Sequence, residues 1–471
     1  MAHTYTLSIN GENISGDNGS FPIYNPANNE LLGLAPKSTP AQVQFAVAVA
    51  RAAQPAWAAL DDSMRKNYIS RVAEVLTQQS RYLAEWITRE QGKPMAGPGS
   101  LFEMQACVGW TQVATMLELP TEVVFEDATR RDELHRKPIG VVAAIAPWNW
   151  PLMIAIWQII PALRAGNTVV LKPSEYTPLA TLEMVRLINE VLPPGVLNTV
   201  CGDGKVGDTL VRHPEVKKIM FTGSSSTGRK IIEASAGNMA RLTLELGGND
   251  AAIVLPGSDP LAIAEGLFWG AFINMGQTCA CAKRLYVHRS QYEAVIQALK
   301  DVVLRMPMGD GMKDGILMGP VQNRMQFDKV CALVEDAKNN GARIVTGGAP
   351  MGEGLFYPIT LVADVKDGSR LVDEEQFGPV LPIIAYDDVA DAIHQANRLD
   401  AGLGASVWGS DAQEAQKVAL QLQAGTVWIN QHGAVHPMVP FGGVKGSGYG
   451  VEFGLEGLKA VTVPQVISIK K

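Results

Sequence analysis

A chain of 471 residues that is 47% hydrophobic and 18% charged has the composition of a globular protein with large apolar cores, and its length suits about three domains. The formal net charge of −7, without any basic tract, argues against nucleic acid as a partner. Five scattered cysteines argue against a disulfide framework and favour a reducing compartment. The N-terminus carries no basic segment and no apolar signal core, so we expect a cytoplasmic protein without an export signal.

The first 120 residues predict a small hairpin followed by helices. Asn10-Gly11 between two short β-like segments is a strong signal for a two-residue hairpin turn. The segment Thr39-Pro40-Ala41-Gln42 has the form of a capping box with proline at the first helical position, and it predicts a helix to about residue 60. Two more helices are predicted, over 64–90 and 101–117.

Residues 121–137 change to β-favouring and charged residues, and residues 460–469 are apolar enough to form another strand. The residues alone leave two interpretations of 121–137 open, an ordinary surface hairpin and a sheet shared with the C-terminal strand. From residue 141 onward, short apolar runs alternate with helical segments, which is the pattern of parallel doubly wound sheets. The predicted strands are 141–146, 168–171, 197–201, 218–222 and 241–245 in a first region, and 251–255, 285–287, 342–345 and 425–429 in a second.

The uncharged run 141–163 is long enough to be a membrane span. Three prolines interrupt it, Pro147, Pro151 and Pro161, and proline lacks the N–H donor that regular pairing requires. We therefore predict a buried strand, a turn and a buried helix here, and no membrane partner.

Polar residues follow the predicted strands at the edge where open parallel sheets bind ligands. Lys172 and Glu175 come after 168–171 and could hold ribose hydroxyls, although a salt-bridged surface turn is the ordinary alternative. Gly223 and Ser224 open a helix, whose free N–H groups could hold a phosphate, although a plain serine N-cap is the ordinary alternative.

Glu375 and Phe377 are the third such group. Because they are two residues apart, we expect them on the same side of an extended segment, and a core position for Phe377 is the alternative.

Cys279 lies on a glycine-marked turn after an apolar run, with Lys283 and Arg284 shortly after it. Such a thiol is either a nucleophile or an inert buried residue.

Four stretches together resemble the signature set of the NAD(P)-dependent aldehyde dehydrogenase superfamily. They are 147–151 (PWNWP), 244–248 (LELGG), 272–281 (FINMGQTCAC) and 374–379 (EEQFGP). The resemblance implies an α/β fold with two doubly wound parallel-sheet domains and a small β element that bridges subunits in a homodimer or homotetramer. The implied ranges are 1–119 and 139–247 for the dinucleotide-binding domain, 248–452 for the catalytic domain, and 120–138 with 453–471 for the oligomerisation element.

The resemblance also implies a role for each matched residue. Cys279 corresponds to the nucleophile, Asn149 to the side chain of the oxyanion hole, and Glu245 to the general base. Glu375 would hold the nicotinamide ribose, and Phe377 would line the nicotinamide ring. From the residues alone, Asn149 is as readily a turn residue between two prolines, and Glu245 a charged strand end. The implied cofactor-binding residues are Trp148, Lys172, Glu175, Gly223, Ser224, Leu246, Glu375 and Phe377, and no metal is implied.

Cofactor and substrate follow from particular side chains. The carboxylate of Glu175 would repel a 2′-phosphate, so we expect NAD rather than NADP. In the family, the positions of Trp150, Met153 and Trp157 line the substrate entrance, although large aromatic residues are more often core. Succinate-semialdehyde-type members place an arginine at the Trp157 position, so its absence favours an uncharged aliphatic or aromatic aldehyde.

Several alternatives stay open at this point. A semialdehyde dehydrogenase, of the succinate-semialdehyde or the CoA-acylating type, is the nearest, and Glu245 argues against CoA acylation because that reaction needs no base for water. A non-catalytic binding protein on the same fold and an esterase that uses Cys279 are the others. Cys281 either fills space or forms a reversible disulfide with Cys279, as a similar pair could in some succinate-semialdehyde-type relatives.

Overall fold

The structure is a computed structural model, and it describes residues 3–471. The described residues form short strands and longer helices that alternate along most of the chain. The strands are β1 (Leu7–Ile9), β2 (Glu12–Ile14), β3 (Ser20–Tyr24), β4 (Leu31–Pro36), β5 (Glu122–Glu126), β6 (Arg130–Pro138), β7 (Val141–Ile145), β8 (Thr168–Lys172), β9 (Leu197–Thr199), β10 (Val216–Thr222), β11 (Arg241–Glu245), β12 (Asp250–Val254), β13 (Ala282–His288), β14 (Arg343–Ile344), β15 (Thr360–Ala363), β16 (Val380–Tyr386), β17 (Ala401–Gly402), β18 (Gly404–Trp408), β19 (Thr426–Ile429), β20 (Val444–Lys445), β21 (Gly448–Tyr449) and β22 (Thr462–Lys470).

The α-helices are α1 (Pro40–Ala58), α2 (Asp62–Gln78), α3 (Ser80–Gln91), α4 (Ser100–Met116), α5 (Pro151–Arg164), α6 (Leu179–Ile188), α7 (Gly204–Val211), α8 (Ser225–Ser235), α9 (Pro260–Phe272), α10 (Tyr292–Val303), α11 (Arg324–Asn339), α12 (Arg370–Asp373), α13 (Val389–Asn397), α14 (Ala412–Ala419) and α15 (Gly454–Ala460). Within residues 3–471, none of the helices combines the length and the apolar character that crossing a membrane requires.

The first large sheet has the strand order β21-β11-β10-β7-β8-β9. All its neighbouring strands run parallel except β21, which pairs antiparallel with β11. Every residue of β7 and β8 is buried, as expected for parallel strands whose two faces are both covered by helices. The five strands predicted between residues 141 and 245 are all present, and the run 141–163 is a strand, a turn and a helix, as predicted.

The second large sheet has the order β14-β15-β16-β13-β12-β18-β19, and only β14 is antiparallel to its neighbour. The four strands predicted for this region are present. Three strands, β15, β16 and β18, were not predicted. Pro382 within β16 and Gly404 at the start of β18 weaken the strand signal of those segments, and packing between neighbouring strands overrides it.

A separate three-stranded antiparallel sheet has the order β22-β6-β5. The chain pairs Thr462 with Pro138 at one end and Lys470 with Arg130 at the other, so the C-terminal strand joins the 130–138 segment along its full length. Of the two interpretations left open for residues 121–137, the shared sheet is therefore the correct one.

The N-terminal predictions hold with one correction. The turn between β1 and β2 has positive φ angles at Asn10 (58°) and Gly11 (74°), and the capping box at Thr39 is formed. The helix predicted over 64–90 is wrong as a single element, because the chain breaks at Gln79 into α2 and α3. Near the break, the hydroxyls of Thr77 and Ser80 donate to carbonyls one turn earlier, which bends helices.

A buried ion pair fixes the start of α5. Lys93 Nζ lies 2.5 Å from Glu103 Oε2, and both side chains are fully buried. The other carboxylate oxygen of Glu103 accepts from the backbone N–H groups of Leu152 (2.9 Å) and Met153 (3.1 Å). Burial lowers the pKa of Lys93 to about 8, although Glu103 opposes this shift. The pair thus sets the position of the chain that leads from β7 into α5.

Replacing Lys93 by methionine leaves the Glu103 carboxylate buried without its counter-ion, and we expect this change to cost about 3–5 kcal/mol of stability. The double variant K93M/E103Q removes both charges, while the glutamine oxygen still accepts from Leu152 and Met153. We therefore expect it to be clearly more stable than K93M. Urea unfolding followed by circular dichroism measures both, and a double variant no more stable than K93M would contradict the ion-pair interpretation.

Candidate active site

A cavity of about 770 Å³ lies at the carboxyl edge of the first sheet. Because β7, β8, β10 and β11 run parallel, the residues that follow them meet at this edge. The cavity extends to residues that precede β13 and β16 in the second sheet. Of the predicted site residues, those that line it are Trp148, Asn149, Lys172, Glu175, Gly223, Ser224, Leu246, Cys279, Glu375 and Phe377.

Cys279 reaches the cavity through a left-handed turn after α9. Asn274, Met275 and Gly276 all have positive φ angles, between 50° and 70°. A Cβ atom on Gly276 would lie only 2.3 Å from the carbonyl oxygen of Gly378, so a larger residue does not fit here. Strained backbone of this kind persists only where the surroundings fix it, and here it presents the half-buried thiol to the cavity.

Asn149 is tied to the same turn. It follows β7 and is buried, and its Nδ2 donates to the carbonyl oxygen of Gln277 (2.9 Å). In return, the backbone carbonyl oxygen of Asn149 accepts from Asn274 Nδ2 (2.8 Å) and from Lys93 Nζ (2.8 Å). Since an amide nitrogen carries two hydrogens, one N–H of Asn149 is left for another acceptor.

Glu245 ends β11 and is 4% exposed, and neither carboxylate oxygen has a hydrogen-bond partner among residues 3–471. Burial, and then the neighbouring Glu452, raise its pKa well above the usual range. Burial also raises the pKa of Glu452 to about 8, while Lys218 opposes that shift. Two acids that share a buried space disfavour each other's charge, so the ionised form of Glu245 is disfavoured in this state.

The thiol of Cys279 is also held in its neutral form. Burial raises its pKa to about 12. Lys283 is the strongest neighbour that acts in the opposite direction, whereas Glu245, Asp250 and Glu375 raise the pKa further. A reaction that uses the thiolate therefore needs additional positive charge or a base near the sulfur.

Lys172 and Glu175 lie beyond the end of β8. Lys172 is buried and donates to the Pro173 carbonyl oxygen (3.0 Å), and its Nζ lies 3.8 Å from Glu175 Oε2. The Glu175 side chain is partly exposed. Ser224 is the N-cap of α8 and accepts from the backbone N–H of Thr227 (3.3 Å). Ser224 therefore both caps α8 and lines the cavity, because the start of α8 faces the cavity.

The sequence interpretation of Glu375 and Phe377 needs a correction. They precede β16 and do not follow a strand, and Phe377 has a φ of 52°, so the segment is not extended. Both side chains still face the cavity, because this left-handed residue turns the chain. Glu375 Oε1 accepts from the backbone N–H of Gly248 (3.2 Å), and the ring of Phe377 meets that of Trp148 edge-on, with 5.3 Å between the centroids.

The three predicted substrate-lining residues are buried and lie outside the lining of this cavity. The Trp150 indole donates to Thr278 Oγ1 (2.9 Å), which ties α5 to the turn that carries Cys279. Trp157 packs against Phe453 and Trp110, with ring centroids 4.6 Å and 5.5 Å apart. The role of Trp150, Met153 and Trp157 in substrate binding stays a prediction.

The sequence interpretation missed four residues around the site: Lys93, Glu103, Lys283 and Glu452. Of these four, the sequence analysis noted only Lys283, as a residue shortly after Cys279, and gave it no role. The signal that could have found them is the presence of ionisable residues in otherwise apolar or glycine-rich surroundings.

Across the part of the chain that the structure describes, no group of three or more His, Cys, Asp or Glu residues is arranged to hold a metal ion.

Cys281 is fully buried, and its sulfur lies 3.9 Å from the Ile273 carbonyl oxygen. All five cysteines, which lie within the described residues, are free. The small-residue role and the reversible disulfide with Cys279 both stay predictions.

Comparison with known proteins places this site in a family. The model of the aldehyde dehydrogenase family matches residues 14–467. The phenylacetaldehyde dehydrogenase of Pseudomonas fluorescens is 39% identical over 461 residues, which cover 95% of this chain and 92% of that protein.

Solved structures agree with this assignment. An NAD+ complex of an aldehyde dehydrogenase from Bacillus cereus superposes with a TM-score of 0.96 at 33% identity, covering 99% of this chain and 97% of that one. An NADP dependent enzyme from E. coli superposes with a TM-score of 0.97 at 34% identity, covering 100% and 98%. With the cavity, the cysteine turn and the α/β architecture, these matches show that the chain belongs to the aldehyde dehydrogenase family.

Proposed function

We propose that this enzyme oxidises an uncharged aliphatic or aromatic aldehyde to the carboxylic acid with NAD as the hydride acceptor. The observation that carries the proposal is that Cys279, Asn149 and Glu245, which are far apart in the chain, lie in the lining of one cavity or directly before residues that line it. Cys279 and Asn149 line it, and Leu246 and Gly247, directly after Glu245, line it as well. These residues are as much as 130 positions apart in the chain, since 279 − 149 = 130.

The proposed chemistry assigns one task to each residue. The Cys279 thiol loses its proton to water, and the resulting thiolate sulfur attacks the aldehyde carbon and forms a tetrahedral adduct. The oxygen of that adduct accepts from the remaining N–H of Asn149 and from the backbone N–H of Cys279, which stabilises its negative charge. Loss of hydride leaves a thioester on Cys279. Glu245, once ionised, takes a proton from the water that hydrolyses the thioester and frees the acid.

The cavity suits a nicotinamide dinucleotide. Its volume is in the range of sites for such ligands, and it combines a helix N-terminus at Ser224 with carboxylates at Glu175 and Glu375 for ribose hydroxyls. The edge-to-face aromatic pair Trp148 and Phe377 contributes apolar surface to the cavity lining. When bound, the dinucleotide accepts the hydride.

NAD is favoured over NADP because the cavity has a carboxylate at Glu175. Lys172 Nζ lies 3.8 Å from Glu175 Oε2, so the charge of this lysine is already opposed by a carboxylate. A phosphate on the adenosine ribose would therefore meet a negative charge at close range. The structural neighbour from E. coli uses NADP on the same fold, so the choice depends on side chains in the cavity and not on architecture.

An uncharged substrate is favoured by the aromatic residues beyond the thiol. Trp157, Phe453 and Trp110 contact one another, and Trp157 stands where succinate-semialdehyde-type members place an arginine. The likeness to a phenylacetaldehyde dehydrogenase supports an aromatic or arylalkyl aldehyde. A CoA-acylating enzyme is the second candidate, and the buried base at Glu245 argues against it.

We also propose that the enzyme is a homo-oligomer, assembled through the sheet of β5, β6 and β22. Nearly every residue of β22 is exposed, and the sheet carries a set of exposed apolar side chains that a monomer would leave in water. They are Val123, Val124, Phe125, Val466, Ile467 and Ile469.

Replacement of Cys279 by alanine should abolish NADH formation from benzaldehyde and octanal, with a loss of about a thousandfold or more, because the covalent step is removed. Absorbance at 340 nm measures it. Cys331→Ala is the matched control, since Cys331 lies on α11 and outside the cavity lining. Full turnover by C279A, or a far higher kcat/KM for succinate semialdehyde than for octanal and benzaldehyde, would refute the proposal.

Glu245→Gln should leave a first burst of NADH but slow steady turnover by about 10²–10⁴-fold, because water is no longer activated. Since the pKa of Glu245 is raised, thioester hydrolysis in the unaltered enzyme should accelerate as the pH increases and more of the carboxylate forms. Rapid-quench detection of an acylated Cys279 peptide is the measurement. If E245Q lost the burst as well as steady turnover, this result would contradict the assignment of Glu245 to the hydrolysis step. Release of acyl-CoA in the presence of CoA would favour the second candidate, a CoA-acylating enzyme.

Glu175→Gln should lower the KM for NADP by about tenfold, because at a separation of some 4 Å the like-charge repulsion is worth about 1–4 kcal/mol. The KM for NAD should change much less. Initial rates with each cofactor test this, and Glu190→Gln, an exposed carboxylate outside the cavity, is the control. An unchanged NADP/NAD ratio in E175Q would show that discrimination lies elsewhere.

Val466→Lys should reduce the mass of the particle in solution, because it places a charge in the proposed subunit contact. Multi-angle light scattering measures the mass. Leu420→Lys introduces the same charge at another highly exposed apolar position, after α14, and should leave the mass unaltered. A monomeric parent protein would exclude the proposed assembly.

A further inference from the structure

Lys283 is a buried lysine that has no task in the chemistry described so far. It lies at the start of β13, four residues after Cys279, and its side chain is 2% exposed. Its Nζ donates to the carbonyl oxygens of Thr278 (2.7 Å) and Cys279 (2.9 Å). The ammonium group therefore holds the two peptide units on either side of the nucleophile.

The same ammonium group reaches a residue from a different segment. Lys283 Nζ lies 3.3 Å from Oε1 of Glu375, which also accepts from the backbone N–H of Gly248. Cys279 and Glu375 both line the cavity. Lys283 is thus the bridge between the nucleophile and the carboxylate that we assign to the ribose.

The surrounding charges keep Lys283 protonated. Burial opposes its charge, but Glu375, Cys281, Asp250 and Cys279 face it and together raise its pKa above the usual range. An ammonium group desolvated in this way interacts strongly with its neighbours, because little water screens it. It therefore acts on the ionisation of the Cys279 thiol, where it opposes the effects of burial, Glu245, Asp250 and Glu375.

We propose that Lys283 is a positioning residue for aldehyde oxidation, which fixes the peptide of Cys279, favours its thiolate and orients the Glu375 carboxylate toward the cofactor ribose. This inference rests on the proposed function. It assigns two separable effects to one side chain, one on thiol ionisation and one on cofactor binding. A lysine that only filled space would produce neither.

The first effect is measured without turnover, by the rate at which iodoacetamide alkylates Cys279, followed by peptide mass spectrometry. Lys283→Met removes the positive charge and approximately keeps the length of the side chain. It should raise the thiol pKa by about one unit and slow alkylation about tenfold at a given pH below that pKa. Glu375→Gln removes a negative charge and should accelerate alkylation. Lys300→Met on α10 is the control and should match the parent protein.

The second effect is measured as the KM for NAD in a double-mutant cycle. K283M should raise this KM about tenfold in the parent background, but less than about twofold in the E375Q background, because it acts through Glu375. Independent effects of equal size in both backgrounds would show that Lys283 does not work through Glu375. An alkylation profile of K283M that overlays that of the parent would overturn the proposed effect on the thiol.

The two measurements also separate this inference from the proposed function. If the parent protein oxidises no aldehyde, the proposed function fails, while the alkylation rates still report on Lys283. If K283M does not fold, Lys283→Gln replaces it in the alkylation experiment. Lys283→Gln should then slow the alkylation of Cys279, and the single variant E375Q should accelerate it. Equal alkylation rates in all these variants and the parent would overturn the inference even in an active enzyme.

Discussion

The hydrogen bond from Asn149 to the Gln277 carbonyl oxygen joins the two halves of the active site. Asn149 follows β7 of the first sheet, and Gln277 ends the left-handed turn that precedes β13 of the second sheet. The return bond from Asn274 to the Asn149 carbonyl makes the contact reciprocal. Because both partners are buried, breaking either bond would leave a desolvated polar group, which resists relative movement of the two loops. The distance between Cys279, the proposed nucleophile, and Asn149, the proposed oxyanion donor, depends on this contact.

Burial has a chemical consequence as well as a structural one. Burial raises the pKa values of Cys279, Glu245 and Glu452 above their usual ranges, which disfavours the charged form of each group. Lys93 and Lys283 are buried cations that contact the backbone at Asn149 and Cys279, and each is held by a carboxylate and by at least one backbone carbonyl oxygen. Reactive groups kept neutral until a ligand brings or shifts charge are protected from unwanted reactions with water and oxidants.

The sequence predicted what depends on local pattern. The hairpin at Asn10-Gly11, the capping box at Thr39 and the apolar runs that became parallel strands follow from residue type and spacing, and the cavity-lining residues followed from the family resemblance. It failed where packing or a special backbone angle decides the structure. Phe377 adopts a left-handed angle that its residue type does not predict, and β16 forms in spite of Pro382. The buried partners Lys93 and Glu103 are ten positions apart on different segments, and only the folded chain brings them together.

The antiparallel strand β21 has a consequence for the order of folding. Gly448 pairs with Glu245, so β11, which carries the proposed base, remains an open edge until about the last two dozen residues are made. Chains fold during synthesis from the N-terminal end, at about 5–20 residues per second. The nascent polypeptide therefore contains every residue that lines the cavity, the last of which is Phe377, well before it contains β21. Folding of this enzyme is therefore completed only after its C-terminal residues have been made. A chain truncated before residue 448 would leave the edge strand β11 unpaired.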